Sequence, residues 1–212
     1  MKKILHSSII VAILVSALAA RAQDFEQNMY VTYAAGVAIQ QDANVRQSGG
    51  SDGRVSFNPG ARADIGLGYN FNSWFSANVS GGFIWNTWDK FGGVPLSSIG
   101  QSVNIYSIPI LTGVTLKLPN RTHFIPFVGL AVGANISEFY FDFNGAKSNS
   151  HDVEPAFQAE AGLNYAINSE ASLGLDYKFM TTPAQRYDLV GESLSESGIY
   201  IHGIFIDLSI NF

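Results

Sequence analysis

The sequence contains no cysteine among its 212 residues. Disulfides, thiolate metal sites and a lipid anchor on cysteine are therefore excluded, although an exported protein could have formed disulfides. Charged residues are also scarce, at 14% of the chain, whereas a soluble domain usually carries about 25%. The composition favours a protein that exposes apolar surface to something other than water.

Long apolar runs are absent beyond the N-terminus. Lys2 and Lys3 precede an apolar run over Ile9–Leu18 and then Ala20-Arg21-Ala22, which is the layout of a secretory signal peptide cleaved after Ala22. That run is too short for a membrane helix, and no later segment approaches the roughly 18 apolar residues that such a helix needs. If the mature chain crosses a membrane, strands must cross it.

Basic residues are also fewer than acidic ones, 12 against 17. The formal net charge is -5, and loss of the signal peptide would make the mature chain still more acidic. No basic stripe is available for a phosphate backbone, so we expect no nucleic-acid partner.

Eight segments alternate apolar and polar residues with the two-residue period of a β-strand. From Phe57 to Tyr69, for example, the odd positions are apolar and the even positions include Arg62 and Asp64. Each segment reaches the roughly 9 to 11 residues that a tilted strand needs to cross a bilayer. The predicted strands are Tyr30–Gln40, Ser56–Tyr69, Trp74–Thr87, Asn104–Leu118, Phe124–Ser137, Ala156–Ile167, Ala171–Met180 and Ile199–Phe212.

The connections between these segments alternate between long and short. The short turns are Asn70–Ser73, Pro119–His123 and Asn168–Glu170, and the long loops are Gln41–Val55, Trp88–Val103, Glu138–Pro155 and Thr181–Gly198. This pattern predicts an all-β fold, an eight-stranded antiparallel up-and-down transmembrane β-barrel with both termini in the periplasm and four loops outside. We expect residues 1–22 to be a cleaved signal peptide and residues 23–212 to form this single barrel domain.

Aromatic residues on the apolar face fall into two bands by depth, as in the girdles of membrane barrels. The band near the long loops is Phe57, Trp85, Tyr106, Phe157, Phe179 and Tyr200, and the band near the turns is Tyr69, Phe75, Phe124, Tyr165 and Phe212. A soluble lipocalin-like barrel also alternates, but its apolar side chains would point inward and its charged ones outward. The two bands favour the membrane barrel.

Three segments resemble the central strands of the bacterial outer-membrane β-barrel family that includes OmpA- and OmpX-type proteins. They are Tyr106–Ile110, Lys117–Pro119 and Pro126–Gly133. The closing alternation of Leu208, Ile210 and Phe212 resembles the signal by which the barrel-assembly machinery recognises its clients. The resemblance implies export to the outer membrane of a Gram-negative-type envelope, with outer-membrane lipid and the assembly machinery as partners. We expect no appended peptidoglycan-binding domain.

Eight strands enclose a lumen just wide enough for side chains to fill, so a plugged barrel is expected. Seven charged residues are predicted to face this lumen as a structural network: Arg62, Asp64, Lys117, Glu160, Asp176, Lys178 and Asp207. Buried charges must be paired, and we expect Arg62 to be the central cation, with partners drawn from Glu160, Asp176 and Asp207. Lys178 would balance the outer part. The alternative is a proton or ion path.

Reactive groups are few. After the signal peptide the histidines are His123, His151 and His202, and catalysis on a lipid would need a histidine with a serine and a carboxylate. No compact serine motif accompanies His202, which is predicted on the lipid face near the outer rim. We expect no enzymatic activity and no cofactor.

One predicted outer loop is rich in oxygen ligands that suit Ca²⁺. They are Asp142, Asn144, Asn149, Asp152 and Glu154. Their spacing does not match an EF-hand, so we expect a solvated polar loop and no metal site.

Two predicted outer loops are more apolar than free loops need to be. They contain Trp88, Phe91, Val94, Leu96 and Ile99 in one case and Phe139, Tyr140, Phe141 and Phe143 in the other. We expect them to extend the sheet above the membrane; covering the barrel mouth or forming a contact surface are the alternatives. The expected role is a monomeric, non-enzymatic barrel that serves envelope integrity or binds an unknown surface ligand through its loops, with a small porin or hydrophobic-solute channel and a lipid A-modifying enzyme as alternatives.

Overall fold

The structure, a computed structural model, describes residues 28–47, 53–143, 146–183, 185–189, 192–196 and 198–212. Its strands are β1 Met29–Gln40, β2 Ala43–Gln47, β3 Gly53–Asn70, β4 Phe75–Phe91, β5 Val94–Pro95, β6 Ser102–Lys117, β7 Phe124–Phe143, β8 Ala146–Ala166, β9 Ala171–Thr182, β10 Gln185–Leu189, β11 Glu192–Glu196 and β12 Ile199–Asn211. A 3₁₀ turn spans Leu96–Ile99. The predicted signal peptide, residues 1–22, lies outside the described residues.

Eight of these strands close into a barrel: β1, β3, β4, β6, β7, β8, β9 and β12. Each pairs antiparallel with the next, and β12 closes the circle on β1, with Tyr30 opposite Asn211 and Gln40 opposite Ile201. The predicted fold class is confirmed. Within the described ranges, no helix is long and apolar enough to span a bilayer.

Each of the three short turns is organised by one asparagine. The Oδ1 of Asn72 accepts hydrogen bonds from the backbone N–H groups of Trp74 and Phe75. Asn168 does the same for Glu170 and Ala171. In the third turn Asn120 accepts from the N–H and the hydroxyl of Thr122. These side chains accept hydrogen bonds from backbone N–H groups at the turns, where strand pairing ends. This explains why the turns are so rich in asparagine.

The outer surface of the barrel is apolar between two aromatic bands. Leu130 is 66% exposed and Ile204 64% exposed, which is expected of side chains that face lipid and not water. Phe157 and Tyr165, one from each band, are separated by eight residues of β8. At about 3.3 Å per residue and a tilt of roughly 40°, the bands lie about 20 Å apart along the membrane normal, close to the height of a bilayer's apolar band.

The predicted position of Phe57 in the outer aromatic band is wrong. The pairing of β3 with β4 shifts register between Asn58 and Ala61, and the extra residue on β3 reverses the inward and outward faces above it. Phe57 therefore lies opposite Trp88, on the interior side, and the two rings meet edge to face at 6.5 Å.

The predicted outer loop from Glu138 to Pro155 is largely strand, and the expectation that its apolar residues extend the sheet above the membrane is confirmed. β7 continues to Phe143, and β8 begins at Ala146 and pairs with it. The two strands are 20 and 21 residues long, whereas roughly 9 to 11 residues cross a bilayer. About ten residues of each strand therefore rise beyond the membrane, by roughly 25 Å.

The remaining strands complete this outer extension. β1, β9 and β12 are only 12, 12 and 13 residues long, so they stop near the membrane surface. Above them, β2 pairs with β3, β11 with β2, and β10 with β11. The predicted loops Gln41–Val55 and Thr181–Gly198 thus contribute strands, because pairing with the tall wall satisfies their backbone hydrogen bonds.

Candidate functional site: the barrel interior

The interior of the outer extension is a packed apolar core. Its buried members come from β2, β3, β4, the 3₁₀ turn, β6 and β7, and we call them the outer plug: Val45, Val55, Trp88, Leu96, Val103, Ile105 and Phe139. Val55 and Phe139 have no exposed surface. Trp88 meets Phe139 edge to face at 5.3 Å and stacks on Phe91 at 6.3 Å. Apolar side chains therefore fill the interior of the outer extension at this level.

A second, smaller apolar cluster lies beneath the plug at the depth of the membrane's outer half. It comprises Ala38, Ile84, Met180, Ile199 and Ile201. The residues predicted to face the lumen were all charged, whereas the structure makes the outer half of the interior apolar. The inward positions of the strands carry alanine, isoleucine and methionine at this depth, and a two-residue period does not by itself tell how polar the lumen is at a given depth.

Directly below this cluster lie the buried charges of Arg62, Asp64 and Lys178, which we call the charged layer. Arg62 is 4% exposed; its Nε donates to Asp64 Oδ1 at 2.8 Å and its Nη2 to Gln158 Oε1 at 2.7 Å. Lys178 reaches from β9 to Asp64 Oδ2 at 2.9 Å and lies 3.6 Å from Asp176 Oδ2. Asp64 thus bridges two buried cations and is the centre of the layer.

This arrangement corrects the expected partners of Arg62. We expected carboxylates from Glu160, Asp176 or Asp207, but its ion pair is with Asp64. Residues two apart on a strand share a face, so Asp64 is the acid that Arg62 meets without crossing the lumen. Gln158 takes the position across the lumen that an acid was expected to fill.

One aromatic ring supports both cations. The Arg62 guanidinium lies 5.5 Å and the Lys178 ammonium 4.8 Å from the centre of the Phe205 ring, within cation–π range. Phe205 is 1% exposed; a side chain at Gly36 or Gly203 would collide with its ring. Phe205 and Gln158 were not among the predicted lumen residues, although both lie at inward-facing positions of their strands.

The other predicted network members lie below or beside this layer. Glu160 accepts a hydrogen bond from Gln158 Nε2 at 3.3 Å. Lys117 donates to Asn70 Oδ1 at 2.7 Å near the periplasmic end and lies over the Tyr30 ring. Asp207 is 9% exposed. All three line a cavity of about 100 Å³ in the periplasmic half of the lumen.

The candidate catalytic histidine has neutral partners. His202 shares one hydrogen bond with the Tyr177 hydroxyl and another with the Gln41 side-chain amide. It also lies against the Phe179 ring, with centroids 4.9 Å apart. Both ring nitrogens are thereby engaged without a serine or a carboxylate, and this geometry suits an aromatic-belt side chain.

The candidate calcium residues are only partly described. Asn144 and the side chains of Asp142 and Asn149 lie outside the described part of the chain. Asp152 and Glu154 occupy β8 above the aromatic band, opposite Ser137 and Asn135. Burial, together with the nearby Asp152 charge, raises the pKa of Glu154 above its ordinary range.

Comparison with known proteins agrees with this architecture. Residues 8–202 match the model of the outer membrane protein beta-barrel domain family, and the chain belongs to that family. It is therefore an outer-membrane β-barrel. No curated protein matches it by sequence.

Two solved structures illustrate the shared fold. Neisserial surface protein A is 15% identical with a TM-score of 0.54, covering 87% of this chain and 97% of its own. The outer membrane protein OprG from Pseudomonas aeruginosa is 13% identical with a TM-score of 0.59, covering 87% of this chain and 98% of its own. At such identities the likeness extends to the fold alone.

Proposed function

We propose that this protein is a closed, monomeric and non-enzymatic outer-membrane barrel that acts through its outer extension, in envelope integrity or in binding a surface ligand. One observation carries the proposal: apolar side chains fill the outer half of the interior and the charged layer lies beneath them, while the sheet continues roughly 25 Å beyond the membrane. A wall of that height has no role in crossing the bilayer. Its apolar core gives it the rigidity that a binding platform needs.

The closed interior argues against a diffusion pore. The outer plug has side chains with no exposed surface, and beneath it the Lys178–Asp64 ion pair and the Arg62–Gln158 hydrogen bond cross the lumen. A conducting path would have to displace both. Opening only one level leaves the other in place.

Planar-bilayer recording tests this point. The refolded chain should give no steady single-channel steps, and Trp88→Ala should remain silent as well, because the charged layer beneath the plug is untouched. Steady, reproducible steps from the wild-type chain would overturn the closed-barrel proposal.

Uptake of hydrophobic solutes is a second candidate, and the apolar outer half of the lumen favours it. An apolar solute could replace plug side chains without a desolvation penalty. Entry of a labelled alkane into proteoliposomes distinguishes the candidates. A rate equal to that of protein-free liposomes supports the closed barrel, and a clear acceleration supports transport.

A further inference from the structure

Three oxygen atoms in the periplasmic half of the lumen are buried and lack a hydrogen-bond donor from the protein. They are Asp176 Oδ1, Asp207 Oδ2 and Asn164 Oδ1. Asp176 is 4% and Asp207 9% exposed, and all three residues line the cavity of about 100 Å³. Buried acceptors in a low-dielectric interior normally have partners, so this group requires one.

The register of the strands brings these oxygens together. Asn164 on β8 and Asp207 on β12 both lie opposite Gly174 on β9. A side chain at Gly174 would collide with both Asp207 Oδ2 and Asn164 Oδ1, so the two oxygens share the space that a glycine leaves. Asp176 follows two residues later on the same face of β9.

The charges around the cavity do not balance. Four acids line the cavity, Asp64, Glu160, Asp176 and Asp207, against three cations: Lys117 and Lys178 in the same lining and Arg62 in the charged layer. Asp64 already accepts from both cations of the layer. Asp207 has no cation within ion-pair distance among the described residues. A positive charge bound beside it would remove this excess.

We propose that Asp176, Asp207 and Asn164 bind a hard cation, Ca²⁺, in the periplasmic cavity of the lumen. Two carboxylates and an amide carbonyl are the oxygen ligands that Ca²⁺ uses, and its remaining coordination positions can be filled by water. The cavity has room for a few water molecules. No trio of His, Cys, Asp or Glu side chains in the described ranges forms a metal site, and this site has two acids and one amide.

The site would join three strands next to the barrel seam. Its ligands come from β8, β9 and β12, and Asp207 lies opposite Ala34 of β1, where the sheet closes. A bound cation would thus tie the last three strands together, independently of any role of the outer extension. Its effect should be seen in the stability of the barrel.

The experiment measures Ca²⁺ binding and thermal unfolding of the whole chain in detergent after treatment with EDTA. In wild type, added Ca²⁺ should bind at one site per barrel and raise the unfolding temperature. Asp176→Asn and Asp207→Asn should each weaken binding at least tenfold. Without Ca²⁺ the Asp207→Asn variant should be more stable than wild type, because it removes a repelling charge without breaking an ion pair, whereas Asp176→Asn also removes a partner of Lys178. The order of Asp207→Asn and wild type should reverse when Ca²⁺ is present.

Two controls separate this site from others. Glu170→Gln removes a carboxylate from an exposed periplasmic turn, and Asp152→Asn removes one from the outer extension; both should bind Ca²⁺ as wild type does. Binding that Asp152→Asn abolishes and Asp207→Asn spares would overturn the proposal. So would wild-type stability indifferent to Ca²⁺, which is expected if the two buried carboxyls share a proton instead.

Discussion

Replacing Arg62 with alanine tests the charged layer most directly. The change removes two hydrogen bonds, of 2.8 Å to Asp64 and 2.7 Å to Gln158, and the cation over the Phe205 ring. Removing one partner of a buried ion pair costs about 3–5 kcal/mol. Asp64 keeps its ion pair with Lys178 at 2.9 Å. We therefore expect the free energy of unfolding to fall by about 3 kcal/mol, near the lower end of that range.

The measurement is urea unfolding in lipid vesicles, followed by tryptophan fluorescence. Arg54→Ala is the matched control, because Arg54 pairs with Asp42 at 3.1 Å but the two side chains are 73% and 40% exposed. An exposed pair contributes roughly 0–1 kcal/mol. Asp64→Ala should cost more than Arg62→Ala, because it leaves two buried cations without their shared acid. If Arg62→Ala unfolds at the same urea concentration as Arg54→Ala, the reasoning about a buried network is refuted.

Two further predictions concern residues outside the charged layer. Mass spectrometry should find the same lipid A in cells that express wild type and in cells that express His202→Ala, because Tyr177 and Gln41 hydrogen-bond with the two ring nitrogens and no serine or acid does. A lipid A modification that is present with wild type and lost in the variant would instead show catalysis. Glu154→Gln should stabilise the barrel slightly at neutral pH, because the raised pKa of Glu154 means that its charged form costs stability as the pH rises through that pKa. The advantage should vanish in acid below the ordinary glutamate range, and a gain that persists there would argue against a charge effect.

Much of the membrane-spanning fold could be predicted from the sequence. The start of β7 at Phe124 and the limits of β1 and β12 fall within a residue of the predicted ones, because one face of each strand must be apolar toward lipid. The apolar outer segments indicated that the sheet extends above the membrane, but the outer limits of its strands could not be predicted in this way. Above the membrane neither face of the sheet contacts lipid, so the outward face need not be apolar. There β7 reaches Phe143 because it pairs with β8 in a hairpin, and not because its residues alternate.

For the interior, too, the sequence determined some features and only the tertiary structure decided others. Alternation by itself determined that Arg62, Asp64, Asp176, Lys178 and Asp207 lie on inward phases, because the side-chain period of a strand is two. Only the closed barrel decided which of them meet, since contacts across a lumen depend on strand stagger and on where a bulge reverses the faces. The bulge turned Phe57 inward, and the stagger gave Arg62 a glutamine in place of a second acid. It also placed Asn164 and Asp207 over Gly174, a convergence from three strands that no local pattern in the sequence records.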